Sequence, residues 1–225
     1  MILLSYVPFF FFPFLFSTSV ACWNHEPSKR PTFEEVRGMI EKLSIAEILN
    51  MPGFWDVFIS HTQRNAEAKS IADRLCASLG EQRITAWLDV NMMKKSVAAM
   101  KEGVTKSTMV IAIITGACKN NDRPSDKEED NAYFNRPFCV KELQWAKEAG
   151  ITIQPVIRME DKTEIGTFLS QAPDDLKDIG NIDFIDLNRS DKEYWDVGVN
   201  KIVRALTTAK HLSLSLERET RLYNK

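Results

Sequence analysis

The sequence predicts an α/β domain in which five parallel strands form a doubly wound sheet. Short apolar runs that suit buried strands alternate with segments whose apolar residues recur at helical spacing, a pattern typical of parallel sheets. The run at residues 109–114, Met-Val-Ile-Ala-Ile-Ile, is continuously apolar, as expected for a central strand covered on both faces. The composition agrees, because 44% hydrophobic residues in a chain of 225 supply enough apolar material for one sizeable domain.

The first predicted strand ends in a polar turn. Residues 56–60 contain three consecutive apolar side chains, and the run stops at Ser60, His61 and Thr62. Ligands of parallel α/β sheets bind just beyond the carboxyl ends of the strands, so His61 and Thr62 are expected to stand at that edge. An ordinary solvated turn is the alternative interpretation of His61.

Apolar spacing and breaker residues predict the other elements. In chain order they are a helix at residues 65–79 that Gly80 ends, a strand at 84–89, a helix at 97–106, the central strand at 109–114, a helix at 138–149 that Gly150 closes, strands at 151–157 and 182–187, and a final helix around 195–206. Pro155 is expected to move the second half of its strand toward an edge or an end of the sheet. Five strands alternating with helices predict a flavodoxin-like topology between about residues 54 and 208.

Two polar stretches are predicted to lack regular structure. Residues 119–136 are dominated by Asn, Asp, Lys and Glu, which predicts a long mobile loop. Residues 209–225 form a charged tail that is expected to fray.

The composition excludes several kinds of partner. The 29 basic and 31 acidic residues give a net charge of −2, which leaves no electrostatic footprint for nucleic acid or an anionic membrane. Four cysteines lie far apart in the sequence, and neither they nor the three histidines have the close spacing of a zinc site. We therefore expect no metal site, reduced thiols and a cytoplasmic protein.

Residues 1–20 form a hydrophobic leader with two interpretations. Small residues at its end suit a signal-peptidase site, but no Lys or Arg precedes the apolar run, and Pro8 and Pro13 interrupt it. The alternative is that these residues are not native coding sequence, or that the chain is a truncated product of a larger gene. Residues 45–53, which end in a Pro-Gly breaker, predict a linker before the α/β domain.

Residues 21–44 have sequence features that are separate from those of the α/β domain. Thr32 and Glu35 have the spacing of a capping box, and apolar residues then repeat at helical spacing. The sequences Cys-Trp at residues 22–23 and Arg-Pro-Thr-Phe at 30–33 resemble the last segment of a tyrosine-kinase-like protein kinase domain. Because a Gly-rich loop, an HRD loop and a DFG motif do not precede this segment, it is interpreted as a kinase-domain remnant without kinase activity.

Four segments of the predicted α/β domain together resemble the Toll/interleukin-1 receptor (TIR) domain family. They are Asp-Val-Phe-Ile-Ser-His at residues 56–61, Trp-Leu-Asp at 87–89, Met-Lys-Glu-Gly-Val-Thr-Lys-Ser at 100–107 and Phe-Cys-Val-Lys-Glu-Leu at 138–143. The resemblance implies innate-immunity-like signal transduction, in which TIR domains bind one another and form homo-oligomers. It also implies contacts through the loop after the second strand, which here consists of Asp89, Val90, Asn91, Met92, Met93, Lys94, Lys95 and Ser96.

Some members of this family cleave NAD+ at its nicotinamide-ribosyl bond, and the resemblance implies where such a site would lie. Glu142 matches their catalytic glutamate. The matching substrate-binding positions are Ser60, His61, Thr62, Trp87, Asp89 and Phe138. Glu142 and the turn after residue 60 are expected to meet at one edge of the sheet, with NAD+ as a substrate and no cofactor required.

Simpler interpretations accompany these roles. Glu142 could complement the dipole at the start of its helix, and Phe138 and Trp87 could pack in the core. Arg64 is the only basic residue close to the strand-end turn, which departs from the NAD+-cleaving members. The sequence therefore favours signalling by self-association, with NAD+ nucleosidase activity as the alternative.

Overall fold

The computed structural model describes residues 26–35, 55–88, 96–118 and 128–223, and the chain divides into two compact units, Met1–Ile48 and Leu49–Lys225. The larger unit contains strands and helices in alternation. They are β1 (Trp55–Ser60), α1 (Ala66–Glu81), β2 (Ala86–Trp87), α2 (Val97–Thr105), β3 (Ser107–Ile114), α3 (Pro137–Glu148), β4 (Thr152–Arg158), α4 (Ile165–Ser170), β5 (Ile185–Leu187) and α5 (Lys192–Tyr223). Short 3-10 segments cover Glu128–Asn131, Tyr133–Asn135, Met159–Glu164 and Asp174–Asn181.

The described strands form one parallel sheet in the order β2-β1-β3-β4-β5. This is the predicted doubly wound, flavodoxin-like arrangement. The central strand β3 is buried at all but one of its eight positions, as its apolar sequence predicts. The strand order reverses between β1 and β3, and in such sheets a crevice for ligands opens beyond the carboxyl ends of those two strands.

The core has two layers, one on each face of the sheet. Alternate residues of β3 point to opposite faces, so that Ile111 packs in one layer and Val110 in the other. The first layer includes Leu75 of α1 and Ile202 of α5, whereas the second includes Leu143 of α3. Coverage of both faces explains the continuous apolar run of β3 at residues 109–114.

The first helix ends differently from the prediction. It continues through Gly80 to Glu81, and the residue in the left-handed conformation is Arg83, with φ of 61°. The Leu79 carbonyl accepts hydrogen bonds from the N–H groups of Gln82 and Ile84, which closes the helix end without help from a glycine. The predicted stop at Gly80 is therefore wrong.

The prediction for Pro155 is also wrong. Pro155 is buried opposite Ala112 of β3, and β4 lies inside the sheet between β3 and β5. β5 pairs with β4 only from Val156 onward, so the first half of β4, not the second, has an open side. Pro155 is tolerated because it precedes the ladder with β5.

Other predicted boundaries need correction. The second and fifth strands are shorter than predicted, because β2 has two residues and β5 has three. The predicted mobile loop at residues 119–136 contains ordered 3-10 turns from residue 128. The helix α5 continues to Tyr223 instead of fraying after Lys210. No Gly or Pro follows Gly198 to interrupt the helix. The Lys210 ammonium also lies 2.5 Å from an Asp56 carboxylate oxygen.

In the smaller unit, the predicted capping box is confirmed. The Thr32 N–H donates to the Glu35 carboxylate at 2.7 Å, and the Glu35 N–H donates to the Thr32 hydroxyl at 3.3 Å. The first of these bonds, with the Thr32 hydroxyl, lowers the pKa of Glu35. The leader at residues 1–20 and the linker at residues 45–53 lie outside the described residues. The kinase-like character of residues 21–44 stays a prediction.

Across the described residues, no helix has both the length and the hydropathy needed to cross a membrane. Among the described cysteines, Cys76, Cys118 and Cys139, none is part of a disulfide bond.

We expect Gly198→Ala to destabilise the domain by about 1–3 kcal/mol, because overpacking a close contact forces the backbone to move. A Cβ at Gly198 of α5 would lie 2.6 Å from the Leu187 side chain and 2.9 Å from the Asp186 carbonyl oxygen. Gly80 is the control, because its Cβ would meet no atom within 4 Å and Gly80→Ala is expected to stabilise α1 by about 0.5–1 kcal/mol. Urea unfolding followed by circular dichroism measures both; equal stability of the two variants would contradict the close α5–β5 contact.

Candidate functional site

Three side-chain oxygen atoms meet at the carboxyl edge of the sheet. Ser60, the last residue of β1, donates from Oγ to Glu142 Oε2 at 2.6 Å, and its Oγ also lies 2.6 Å from the Tyr133 hydroxyl. All three residues are buried, with exposed fractions of 1% for Ser60, 6% for Glu142 and 0% for Tyr133. The expected meeting of Glu142 with the end of the first strand is therefore confirmed.

Glu142 lies in the second turn of α3, which begins at Pro137, and not at the helix start. Because the helix dipole acts mainly on the first turn, it does not explain a carboxylate at this position. Burial of a charge also costs free energy unless partners compensate it, and the Ser60 hydroxyl is one such partner. Fold stability alone therefore gives little reason for a glutamate here.

Phe138 precedes Glu142 by one helical turn on α3. Its side chain is 42% exposed, and the Lys141 ammonium lies 5.8 Å from the ring centroid. The core-packing interpretation of Phe138 is therefore wrong. An exposed aromatic ring and a buried carboxylate lie on the same side of α3, since residues four apart share a helix face.

The turn after β1 is buried. His61 and Thr62 are 7% and 1% exposed, so the solvated-turn interpretation of His61 is wrong. The His61 carbonyl accepts a hydrogen bond from the Cys139 thiol at 3.5 Å, and the Thr62 carbonyl accepts one from the Asn65 N–H at 3.2 Å. Because Cys139 belongs to α3, the first contact fixes the turn against the helix that carries Glu142.

The site residues predicted at and after the second strand are only partly described by the structure. Trp87 is 2% exposed, its ring stacks on Phe58 with centroids 4.5 Å apart, and a Cβ at Gly103 would lie 2.9 Å from its indole. The ring therefore packs in the same core layer as α3, which agrees with the core interpretation. Asp89 and residues 90–95 of the predicted interface loop lie outside the described residues. Ser96 is described, and its hydroxyl caps α2 by accepting the Ala99 N–H at 3.2 Å.

Tyr133 belongs to this cluster but is absent from the predicted site. Its position in a polar stretch led to the prediction of a loop, although the apolar trio Ala-Tyr-Phe at residues 132–134 was a usable signal. Burial raises the pKa of the Tyr133 hydroxyl well above its usual value, the nearby Cys139 and Glu142 raise it further, and the hydrogen bond with Ser60 opposes them. The phenol therefore keeps its proton at neutral pH.

Two cationic side chains lie at the same edge of the sheet, one on the last residue of β4 and one shortly after β5. The guanidinium groups of Arg158 and Arg189 both contact the carboxylate of Glu67 in the first turn of α1. Arg158 also makes a two-point ion pair with Asp161 at 2.5 and 2.6 Å. These cations are thus engaged by carboxylates, so a phosphate group here would have to compete with Glu67 and Asp161.

Comparison with protein-family models assigns the domain to a family. The family model for the TIR domain matches residues 57–203, well over half of the chain. Among solved structures, the TIR domains of the activated Roq1 resistosome directly recognizing the pathogen effector XopQ match with 17% identity and a TM-score of 0.47, covering 68% of this chain and 99% of that one. No curated protein sequence matches the chain. On the strength of the family match, the chain belongs to the TIR domain family.

Proposed function

We propose that this domain is an NAD+ nucleosidase that breaks the nicotinamide-ribosyl bond, with Glu142 as its catalytic residue. The observation that carries the proposal is the hydrogen bond between Ser60 and Glu142 at the carboxyl edge, next to the reversal of strand order. The buried carboxylate in the second turn of α3 supports it, because the helix dipole does not account for a charge there.

The proposed chemistry needs one well-placed carboxylate. The bond between the ribose C1′ and the nicotinamide nitrogen breaks, and nicotinamide leaves with the bonding electron pair as a neutral base. Because the leaving group is neutral, no general acid is required. Positive charge develops on the sugar, and the Glu142 carboxylate stabilises it before water or an internal nucleophile attacks C1′ and gives up its proton to solvent.

The neighbouring residues supply contacts for such a substrate. The exposed ring of Phe138 is available to stack on nicotinamide or the ribose. We propose that the turn of Ser60, His61 and Thr62 borders the ribose, and that Trp87 and Asp89 border the site from the second strand. The Trp87 ring, which lies in the core, would act by supporting this border.

The test is release of nicotinamide from NAD+ over a range of protein concentrations. We expect Glu142→Ala to retain less than about 1% of the wild-type rate, as is typical when a group that stabilises transition-state charge is removed. Glu148→Ala is the matched control, since Glu148 is exposed at the last position of the same helix. Absence of release by the wild type at every concentration, or release that Glu142→Ala does not change, would remove the proposal.

Self-association in cytoplasmic signalling is the second candidate function. Val97, directly after the predicted interface loop, is 49% exposed at the start of α2, and Phe138 is 42% exposed at the start of α3, which packs against α2. Exposed apolar side chains at neighbouring helix starts favour a protein contact. Sedimentation of the wild type over the same concentrations tests this, because self-association predicts a sedimentation coefficient that rises with protein concentration.

A further inference from the structure

The donor and the acceptor of each hydrogen bond among Tyr133, Ser60 and Glu142 can be assigned. An ionised carboxylate only accepts hydrogen bonds, so the single hydroxyl proton of Ser60 is donated to Glu142. The Ser60 oxygen lies 2.6 Å from the Tyr133 oxygen, and it must therefore accept the proton of the phenol. Successive bonds polarise one another, so the phenol strengthens the hydrogen bond that Ser60 gives to the carboxylate.

The Tyr133 hydroxyl is fixed by contacts on several sides. The backbone N–H of Tyr133 donates to the Thr115 carbonyl at 2.9 Å, just beyond the end of β3. Its ring makes an edge contact with Phe134, with centroids 5.3 Å apart, and is completely buried. Burial also raises the pKa of the phenol further above neutral pH, so that the hydroxyl keeps its proton. It is thus a stationary donor, whose backbone is anchored to the segment that follows β3.

We infer that Ser60 and Tyr133 are positioning residues, which hold the Glu142 carboxylate in one orientation toward the reacting sugar. The catalytic part of this inference rests on the proposed NAD+ cleavage. A glutamate side chain on one helix has three rotatable bonds, and a misplaced catalytic group loses much of its effect. Anchors on β1 and after β3 fix the carboxylate relative to the crevice between those two strands.

A purely structural role for the same bonds makes different predictions. It requires that loss of the phenol lowers the free energy of unfolding and leaves the titration of Glu142 and the turnover number unchanged. A positioning role requires that both of these change. Among the described residues, Cys139 of α3 and His61 of the turn are further titratable groups beside the cluster, so the protonation of Glu142 has to be observed directly.

The experiment follows the carboxyl carbon of Glu142 by ¹³C NMR in protein labelled at glutamate, with the signal assigned by its loss in Glu142→Gln. We expect its titration midpoint to move to higher pH in Ser60→Ala, and to a smaller extent in Tyr133→Phe, because a hydrogen bond to the charged form favours that form. Tyr194→Phe is the matched control, since Tyr194 is 60% exposed on α5 and its change should leave the midpoint in place.

The same variants are assayed for nicotinamide release. We expect kcat to fall about 10- to 100-fold in Ser60→Ala and about 3- to 10-fold in Tyr133→Phe, with KM within about twofold, as for lost hydrogen bonds to a charged and a neutral group. Tyr133→Phe removes a single oxygen and should fold normally, which circular dichroism checks.

Each outcome bears on the inference. An unchanged Glu142 titration in Tyr133→Phe overturns it, and so does a shifted titration combined with wild-type kcat. A shifted titration in a protein whose wild type releases no nicotinamide supports the orienting role of Ser60 and Tyr133, and overturns the proposed NAD+ cleavage alone.

Discussion

Glu142→Gln is expected to lower nicotinamide release about 100- to 1,000-fold while leaving the free energy of unfolding within about 1 kcal/mol of the wild type. The glutamine side chain has the same shape, and its amide oxygen can accept the Ser60 proton at the 2.6 Å separation seen for the carboxylate. What disappears is the negative charge, which the proposed reaction uses to stabilise the sugar cation. Because Glu142 is only 6% exposed, removal of its charge also relieves a desolvation cost.

The measurement pairs an initial-rate assay with urea unfolding. Glu148→Gln makes the same chemical change at an exposed position of α3 and should alter neither the rate nor the stability. Two results would contradict the expectation. Retained activity in Glu142→Gln would assign the carboxylate a structural role, and a loss of more than about 2 kcal/mol would mean that its charge holds the fold together.

The same variant separates the two candidate functions. If signalling depends only on assembly, Glu142→Gln should sediment like the wild type and signal like it. If assembly serves to complete a catalytic site whose reaction carries the signal, the variant should assemble normally but lose nicotinamide release and signalling together. Because the charge is buried at the carboxyl edge, a change in association itself is not expected.

The parts of the fold that could be predicted from the sequence are those set by local pattern. The continuous apolar run at residues 109–114 fits only a strand covered on both faces, and it is the centre of the sheet. The place where Ser60 and Glu142 meet also followed, because a parallel sheet brings its strand ends to one edge. Their identity as a candidate site needed the family resemblance, since a single glutamate carries no functional pattern of its own.

What could not be predicted depends on partners distant in sequence. Tyr133 joins Ser60 across 73 positions, and the apolar trio at residues 132–134 indicates burial but not that contact. The length of β2 is set by how far β1 pairs with it, at Val57 and Phe58 only. The position of Pro155 inside the sheet could not be predicted for the same reason, because β4 tolerates a proline there only if β5 begins to pair after it.

Asn65→Ala is expected to cost about 2–4 kcal/mol of stability, the largest effect we expect from a single polar residue. Asn65 is 1% exposed, and its Oδ1 caps α1 by accepting the N–H groups of Glu67 and Ala68 at 3.0 and 3.1 Å. Its Nδ2 donates to the Gly116 carbonyl at 2.9 Å, which joins the turn after β1 to the segment after β3. The substitution removes the helix cap and this connection together.

Two further variants separate the contribution of the helix cap from that of the connection to Gly116. Asn65→Ser keeps an oxygen that can cap α1 but lacks the amide donor, so its cost should measure the connection to Gly116. Ser96→Ala removes only an exposed cap, on α2, and should cost about 0.5–1 kcal/mol. Urea unfolding gives the order of stability, which we expect to be Ser96→Ala, then Asn65→Ser, then Asn65→Ala as the least stable.

The connection through Asn65 also bears on activity, because it fixes the turn of His61 and Thr62 against the end of β3. We expect Asn65→Ser to lower nicotinamide release several-fold under conditions where it remains fully folded, whereas Ser96→Ala should lose no activity beyond its stability effect. If Asn65→Ala costs no more than Ser96→Ala, the two strand ends are not mechanically coupled. The position of the turn beside Glu142 would then depend on other contacts, such as the hydrogen bond from the Cys139 thiol to the His61 carbonyl.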